Sequence, residues 1–229
     1  MRVLIDHAGG PLGDVDDERL RTLYEPPRLP WLRVNMVSTV DGAATGAGGL
    51  TGSINNPADK RVFHLLRSTS DAVVVGAGTA RAERYGPAVV PIVLVSRVGV
   101  VPEKLRGAPS GRVLLATCAT ASGLSNSRRQ LGDENVLVVG SESVDLVSMR
   151  HALADRGFQN VLSEGGPQLL AAMLAAGVID ELCVTVVPQA VSGSHRRITD
   201  GPDVDVPLEL ATLLEEDGTL LGRWLVRGG

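Results

Sequence analysis

Residues 71–79 read DAVVVGAGT, an uninterrupted β-branched run that ends in a glycine-bearing turn. A short apolar run bounded by turn residues is typical of a strand buried on both faces of a sheet. The glycines that follow favour a tight passage from this strand into a helix. This stretch predicts a mainly parallel α/β fold.

Other segments of the chain repeat this pattern of a short apolar run followed by a turn or a helix. We predict strands at 32–38, 71–76, 91–96, 112–117, 135–140, 160–163 and 180–187. We predict helices at 57–69, 78–84, 143–157 and 166–176, with Pro57 in a first turn and glycines at two ends. Residues 208–226 predict two strands around Asp217-Gly218, a strong hairpin signal. Strands alternating with helices, then a hairpin, indicate a mainly parallel sheet with an antiparallel edge.

The first thirty residues have a different character from the rest. Residues 14–24 begin acidic and continue basic, as a short helix prefers, and prolines at 26, 27 and 30 then stop it. We find no internal repeat and no long low-complexity linker. We therefore predict a single domain over residues 1–229, in which residues 1–30 form a helical lead-in.

Composition excludes several classes of protein. Hydrophobic residues make up 44% and aromatics only 3%, so aliphatic side chains must supply most of the core. The net charge of −4 with scattered Lys and Arg argues against a nucleic-acid footprint and against a polybasic membrane patch. The start MRVLIDHAGG lacks the features of a signal peptide, and no apolar stretch approaches the ~18 residues of a membrane span. We expect a cytoplasmic protein.

Cysteines and histidines give no metal or triad signature. Cys118 and Cys183 each lie in an apolar run, which predicts buried free thiols in a reducing compartment. No Cys/His cluster has zinc-ligand spacing. The four histidines lack triad-like partners, and His64 and His151 are interpreted as ordinary helix-face residues.

Three glycine-bearing turns follow predicted strands, and they are candidates for ligand binding. They read TVDG at 39–42, GAGT at 76–79 and EGGP at 164–167. In an open α/β sheet, ligands bind outside the carboxyl ends of the strands, where helix N-termini attract anions. Two such turns suit the pyrophosphate of a dinucleotide. Glycine serving only for tight turns stays an open alternative, because neither turn is a G-x-G-x-x-G fingerprint.

Four sequence blocks together carry a resemblance. They are MVSTVDG at 36–42, LLRSTSDAVVVGAGT at 65–79, SEGGP at 163–167 and GVIDEL at 177–182. In this order and spacing they resemble the reductase domain of the riboflavin-biosynthesis pyrimidine reductase/deaminase family, from about residue 31 onward. The resemblance implies a dihydrofolate-reductase-like fold, NADPH as cofactor, a homodimer and no metal. It also implies reduction of a phosphoribosylamino-pyrimidine to its ribitylamino form.

The resemblance and the turns together give two sets of site residues. The cofactor-binding candidates are Val37, Ser53, Gly76, Thr79, Glu83, Ser96, Arg97, Gly165, Gly166, Pro167, Gln168 and Leu169. The substrate-binding candidates are Thr51, Arg67 and Glu164. Ser53 occupies a position where many relatives have tryptophan.

Several of these roles have a physical reason of their own. Amide N–H groups at Gly165 and Gly166 and at the following helix start suit pyrophosphate oxygens. Ser96 and Arg97 suit the 2′-phosphate of NADPH, although Arg97 is equally well explained as a solvated surface charge. Glu164 suits the amino and ring N–H groups of a pyrimidine or pterin. We assign no catalytic proton donor.

The sequence departs from the family pattern in one region. Relatives place an arginine that meets the substrate phosphate where this chain has Val90, and Arg84 is the candidate substitute. The H-x-E and P-C-x-x-C motifs of the zinc deaminase are missing, which predicts a stand-alone reductase. Reduction of dihydrofolate or another pterin-like substrate therefore stays open, as does a nucleotide-binding module without catalysis.

Overall fold

Eleven strands join into one sheet in the computed structural model, which describes residues 1–227. The strands are β1 (Arg2–Asp6), β2 (Gly13–Asp14), β3 (Trp31–Thr39), β4 (Ala72–Gly76), β5 (Ile92–Val95), β6 (Val113–Thr117), β7 (Val136–Val138), β8 (Asn160–Ser163), β9 (Glu181–Val187), β10 (Leu208–Glu216) and β11 (Thr219–Val226). The α-helices are α1 (Asp17–Leu23), α2 (Pro57–Thr69), α3 (Ala77–Ala82), α4 (Leu124–Leu131), α5 (Leu146–Asp155) and α6 (Pro167–Ala175).

The strand order across the sheet is β2-β1-β10-β11-β9-β3-β8-β4-β5-β6-β7. The block from β9 to β7 is parallel throughout, whereas β2, β1, β10 and β11 pair antiparallel. The predicted mainly parallel sheet with an antiparallel C-terminal hairpin is therefore confirmed. Since parallel strands share a direction, the carboxyl ends of β3, β8, β4 and β5 lie at one edge of the sheet.

Alternate side chains of each central strand pack on opposite faces of the sheet. In β4, Ala72 and Val74 belong to the core cluster formed with α5 and α6. Val73 instead packs with α1 and α2, and Val75 packs with α3. Both faces of the sheet are covered, which explains why the strand sequence is a continuous apolar run. The expected three-layer architecture is observed.

The N-terminal residues differ from the sequence-based interpretation. The predicted helix is present as α1, capped by Asp16, whose side chain accepts from the Arg19 amide at 2.8 Å. However, residues 1–30 are more than a lead-in, because β1 pairs antiparallel with β10. Helix α4 was also not predicted, since its sequence LSNSRRQL offers too few apolar residues to show a periodicity.

A buried ion cluster ties β3, β9 and β11 together. Glu181 is fully buried and accepts from Arg33 at 2.9 and 3.0 Å and from Arg223 at 2.7 and 3.0 Å. Burial alone would raise the pKa of Glu181, but the two guanidinium groups outweigh it and lower the pKa to about 2. Glu181 is therefore a charged, fully paired group in the middle of the sheet.

Cys118 and Cys183 are buried free thiols, as predicted. Among the helices of residues 1–227, none combines the length and apolar character needed to cross a bilayer. Within the same residues, no group of three or more His, Cys, Asp or Glu side chains is arranged to hold a metal ion.

Candidate functional site

A cleft of about 870 Å³ opens at the sheet edge where the central parallel strands end. This is the position expected for a ligand in an open α/β sheet. The strand ends contribute Asn35–Val37 and Val95, and the two glycine-bearing turns contribute Gly76–Thr79 and Glu164 with Gly166–Leu169. Helix α2 adds Asp59 and Phe63 from one side, and the loop after β9 adds residues 194–196.

The two glycine-bearing bends touch each other. The Gly76 amide donates to the Gly165 carbonyl at 2.7 Å. A β-carbon on Gly166 would lie 2.3 Å from the Thr79 hydroxyl oxygen, so a larger residue there would require Thr79 to move. Gly165 has a φ of +75°, and its peptide bond to Gly166 is cis. The structure thus brings the 76–79 and 164–167 turns, predicted separately from sequence, into one wall of the cleft.

The start of α6 is suited to an anion. The helix begins with Pro167, which has no N–H, and no side chain caps it. The amides of Gln168 and Leu169 in the first turn therefore have no partner within the helix. Both residues line the cleft. Open amides and the positive end of the helix dipole together favour a phosphate group.

The amides of the bends themselves are less available than expected. Gly165 donates to the Ser163 hydroxyl at 3.3 Å, and the Gly76 amide is used by Gly165. The role of the Gly165 N–H toward pyrophosphate stays a prediction. The amides at the start of α6, which were predicted for the same role, have no partner within the helix.

Thr51 and Glu83 face each other across the cleft entrance. Both the amide and the hydroxyl of Thr51 donate to Glu83 Oε1, at 3.0 and 2.8 Å. Thr51 was predicted on the substrate side and Glu83 on the cofactor side. The contact links the loop before α2 to the end of α3, so the two candidate sets meet at this point.

Arg67 and Glu164 form a bidentate ion pair beside the cleft. Arg67 donates to both carboxylate oxygens, at 2.6 and 2.7 Å, and the Tyr85 hydroxyl donates to Glu164 Oε2 at 2.5 Å. The guanidinium also lies over the Phe63 ring, 4.5 Å from its centroid. Burial raises the pKa of the Tyr85 hydroxyl and the neighbouring carboxylate raises it further, so this group stays a hydrogen-bond donor.

Three predicted cofactor residues, Ser53, Ser96 and Gly165, lie outside the cleft lining. The Ser96 hydroxyl is buried and accepts from the Gly99 amide at 3.0 Å, so it stabilises its own turn. Ser53 is exposed and donates to the Leu50 carbonyl at 2.8 Å. Both hydroxyls serve local turn geometry, which is the commoner use of serine in loops. Their contacts with the cofactor stay predictions.

The cations of the cleft also differ from expectation. Arg84 is exposed and does not line the cleft, and Val90 packs against the core beside α2. The role of Arg84 toward the substrate phosphate stays a prediction. Arg97 does line the cleft, as predicted for the cofactor side, and Arg196 lines it from the loop after β9.

Several lining residues were not identified from sequence. The loop after β9 is rich in Gly and Ser and follows a strand end, which is the signal that marks ligand loops. Asp41 holds this loop in place by accepting from the Val191 and Ser192 amides at 3.1 and 2.7 Å. The Thr39 hydroxyl and these amides lower the pKa of Asp41, so the carboxylate that accepts these hydrogen bonds is charged at neutral pH. Asp59, Asn55 and Tyr85 were missed as well.

Comparison with known proteins finds similarity along most of the chain. A family model described as the RibD C-terminal domain matches residues 30–220. The 2,5-diamino-6-ribosylamino-4(3H)-pyrimidinone 5′-phosphate reductase of Methanothermobacter thermautotrophicus is 29% identical over 214 residues, covering 86% of this chain and 96% of the relative. Against curated RibD proteins, the chain spans about half of their length.

Two solved structures share the fold. A pyrimidine reductase-like protein of Corynebacterium diphtheriae superimposes with a TM-score of 0.77 at 23% identity, over 92% of this chain and 99% of its own. Dihydrofolate reductase of Enterococcus faecalis gives a TM-score of 0.52 at 14% identity, over 86% of this chain and 97% of its own. The dihydrofolate-reductase-like fold expected from sequence is therefore confirmed.

Proposed function

This chain belongs to the RibD C-terminal domain family, and from that membership we propose that it is an NADPH-dependent reductase of a phosphoribosylamino-pyrimidine in riboflavin biosynthesis. Relatives named as reductases of such a pyrimidine 5′-phosphate support the oxidoreductase class. The observation that carries the proposal is the contact between the 76–79 and 164–167 turns, which together form one wall of the cleft.

The residues of the cleft fit a nicotinamide dinucleotide. The uncapped first turn of α6 offers amides for the pyrophosphate. Arg97 lies at the end of β5, where a guanidinium favours the 2′-phosphate that distinguishes NADPH from NADH. Val37, Gly76, Thr79, Glu83 and residues 166–169 complete the proposed cofactor side.

The substrate side is assigned to Thr51, Arg67 and Glu164. The Arg67–Glu164 pair presents a carboxylate of fixed orientation, and Arg196 is the cation that we assign to the substrate phosphate. Phe63 and Met36 provide apolar walls that limit water in the cleft.

When bound, NADPH supplies a hydride, and the acceptor that we assign is the imine carbon of the ring-opened ribosylamine. The protein holds the two reactants in one orientation, which is the main catalytic contribution expected from such a site. The proton that completes the reduction comes from solvent in this scheme, because no proton donor is assigned.

The direct test is NADPH oxidation by the purified chain with the phosphoribosylamino-pyrimidine, with the ribitylamino product identified by mass. Parallel reactions contain NADH, dihydrofolate, or NADPH without substrate. We expect turnover with the pyrimidine and preference for NADPH over NADH. Tight NADPH binding without turnover would support the module without catalysis, and turnover with dihydrofolate alone would support the pterin reductase.

We also propose a homodimer, which the resemblance implies, and a single folding domain and a cytoplasmic location, which the sequence pattern and composition suggest. The same preparation tests the first two. Light scattering coupled to size exclusion measures the mass of the particle in solution. A single unfolding transition in differential scanning calorimetry is expected for one domain.

A further inference from the structure

Asp59 is a buried carboxylate that the cofactor side does not use. It lies in the first turn of α2, is 3% exposed and lines the cleft. Phe63, one helical turn further along, lines the cleft as well, and Arg67 in the following turn holds Glu164. The spacing i, i+4, i+8 places all three on one face of α2. This face therefore forms the wall of the proposed substrate side.

One oxygen of Asp59 has no hydrogen-bond partner. Within residues 1–227, no donor reaches Asp59 Oδ1, although the atom is buried. The side-chain oxygen of Asn55, which also lines the cleft, is buried and without a donor in the same way. A buried acceptor without a donor is destabilising, and more so when it is charged. Two residues that line one cleft each hold such an acceptor, which suits a ligand that brings N–H donors.

Helix capping does not account for the Asp59 side chain. Asn56 is the N-cap of α2, and its side chain accepts from the Asp59 amide at 3.0 Å. In a capping box, the Asp59 carboxylate would turn back to the Asn56 amide, and this bond is not formed in the described structure. A carboxylate in the first turn gains some energy from the helix dipole whichever way it points. The helix therefore does not account for the unpartnered oxygen of Asp59.

The surroundings of Asp59 keep the carboxyl in a dry environment. Burial raises its pKa, while the Thr185 hydroxyl on β9 and the charge of Lys60 act in the opposite direction. Asn35 of β3 lines the same part of the cleft and is itself buried. Desolvation strengthens each hydrogen bond made there and raises the cost of a mismatched one. Such a site discriminates ligands by donor and acceptor pattern.

We propose that Asp59, with Asn55, selects a pyrimidine whose edge carries two adjacent N–H donors, a 2-amino-4-pyrimidinone, over the 2-oxo edge of a uracil. This inference rests on the proposed function and names the substrate within it. A carboxylate has two acceptor oxygens in one plane, which match a ring N3–H beside a 2-amino group. A uracil presents an oxygen in place of the amino group, so two acceptors face each other.

The test compares two substrates that differ only at this edge. They are 2,5-diamino-6-ribosylamino-4(3H)-pyrimidinone 5′-phosphate and the corresponding 5-amino-6-ribosylamino-uracil 5′-phosphate, each with NADPH. We expect kcat/KM for the diamino compound to exceed that for the uracil by about 10-fold or more, since one hydrogen bond to a charged group is worth about 1.5–3 kcal/mol.

Asp59→Asn is the informative variant, because an amide of the same size offers one acceptor and one donor, the complement of a uracil edge. We expect it to lose the preference or reverse it. Asp17→Asn is the matched control, an identical change in the first turn of α1, where Asp17 pairs on the surface with Arg61. It is expected to leave the ratio unchanged. If Asp59→Asn melts below the assay temperature, Asn55→Ser provides the second measurement and should lower the ratio.

Equilibrium binding of both pyrimidines to the NADP⁺-loaded protein separates this inference from the reductase assignment. A binding preference that Asp59→Asn removes supports the role of Asp59 even when no turnover occurs, and then only the reductase assignment fails. Equal affinity for both pyrimidines, or an Asp59→Asn variant that weakens both by the same factor, overturns the inference while leaving reductase activity intact.

Discussion

The carboxylate of Glu164 reaches the cleft with both oxygens already engaged by Arg67 and Tyr85. Its ligand contacts must use the remaining lone pairs, in the direction that these partners leave open. The two carboxylates of the substrate side therefore differ in whether the protein already occupies their acceptor oxygens. Glu164 is oriented by the protein, whereas Asp59 retains an acceptor for a ligand.

Removing the Tyr85 hydroxyl tests this orientation. In Tyr85→Phe, Glu164 loses one donor while the ion pair with Arg67 remains. We expect KM for the pyrimidine to rise about three- to tenfold, because a hydrogen bond of this kind contributes about 1 kcal/mol. NADPH affinity should not change. Tyr24→Phe, the same deletion at a buried tyrosine remote from the cleft, is the control; an unchanged KM in Tyr85→Phe would show that Glu164 does not need this donor.

Two strand-to-helix elements, β4–α3 and β8–α6, meet in the cleft wall through glycine. Gly166→Ala places a methyl group against Thr79, so either the Thr79 side chain or the two elements must shift. We expect NADPH affinity to fall by about tenfold or more, measured by fluorescence titration, while the melting temperature changes little. Gly86→Ala, where an added β-carbon meets nothing within 4 Å, is the matched control. An alanine variant that binds NADPH with wild-type affinity would show that this close approach is dispensable.

The elements that were predicted well from sequence are those whose own residues carry an apolar pattern typical of a strand or a helix. β4 is a continuous apolar run because both of its faces are covered. β1 was missed because its five residues show no clear strand pattern on their own and form a strand by pairing with β10, more than 200 positions later.

For the site, turn glycines and strand ends were predictable. Asp59 was not, because an acidic residue in a first helical turn is adequately explained by the helix dipole. The position of Ser96 outside the cleft lining was not predictable either, because a serine after a strand also serves its own turn.

At the level of the whole molecule, stability depends on the cluster around Glu181. We expect Glu181→Gln to lower the free energy of unfolding at pH 7 by about 3–5 kcal/mol, because two buried guanidinium groups lose their counter-charge. Urea denaturation measures this loss. Glu209→Gln, which affects only an exposed pair with Arg227, should cost less than about 1 kcal/mol.

The same residue predicts how stability changes with acid. The folded pKa of Glu181, about 2, lies below its ordinary value of 4.5, so its contribution is complete above pH 4.5 and is lost as the pH falls toward 2. We expect wild-type stability to decline more steeply than that of Glu181→Gln across this range. Parallel acid curves for the two proteins would show that Glu181 is not the group responsible.

The position of Arg223 has a consequence for how the chain is made. Glu181 is synthesised 42 residues before Arg223, so a growing polypeptide passes through a stage in which this carboxylate has only one of its two guanidinium partners, Arg33. Strand β11, which separates β9 from β10, is also still missing at that stage. Complete folding must therefore wait for the last strand to leave the ribosome, and nascent chains arrested before it should remain sensitive to protease.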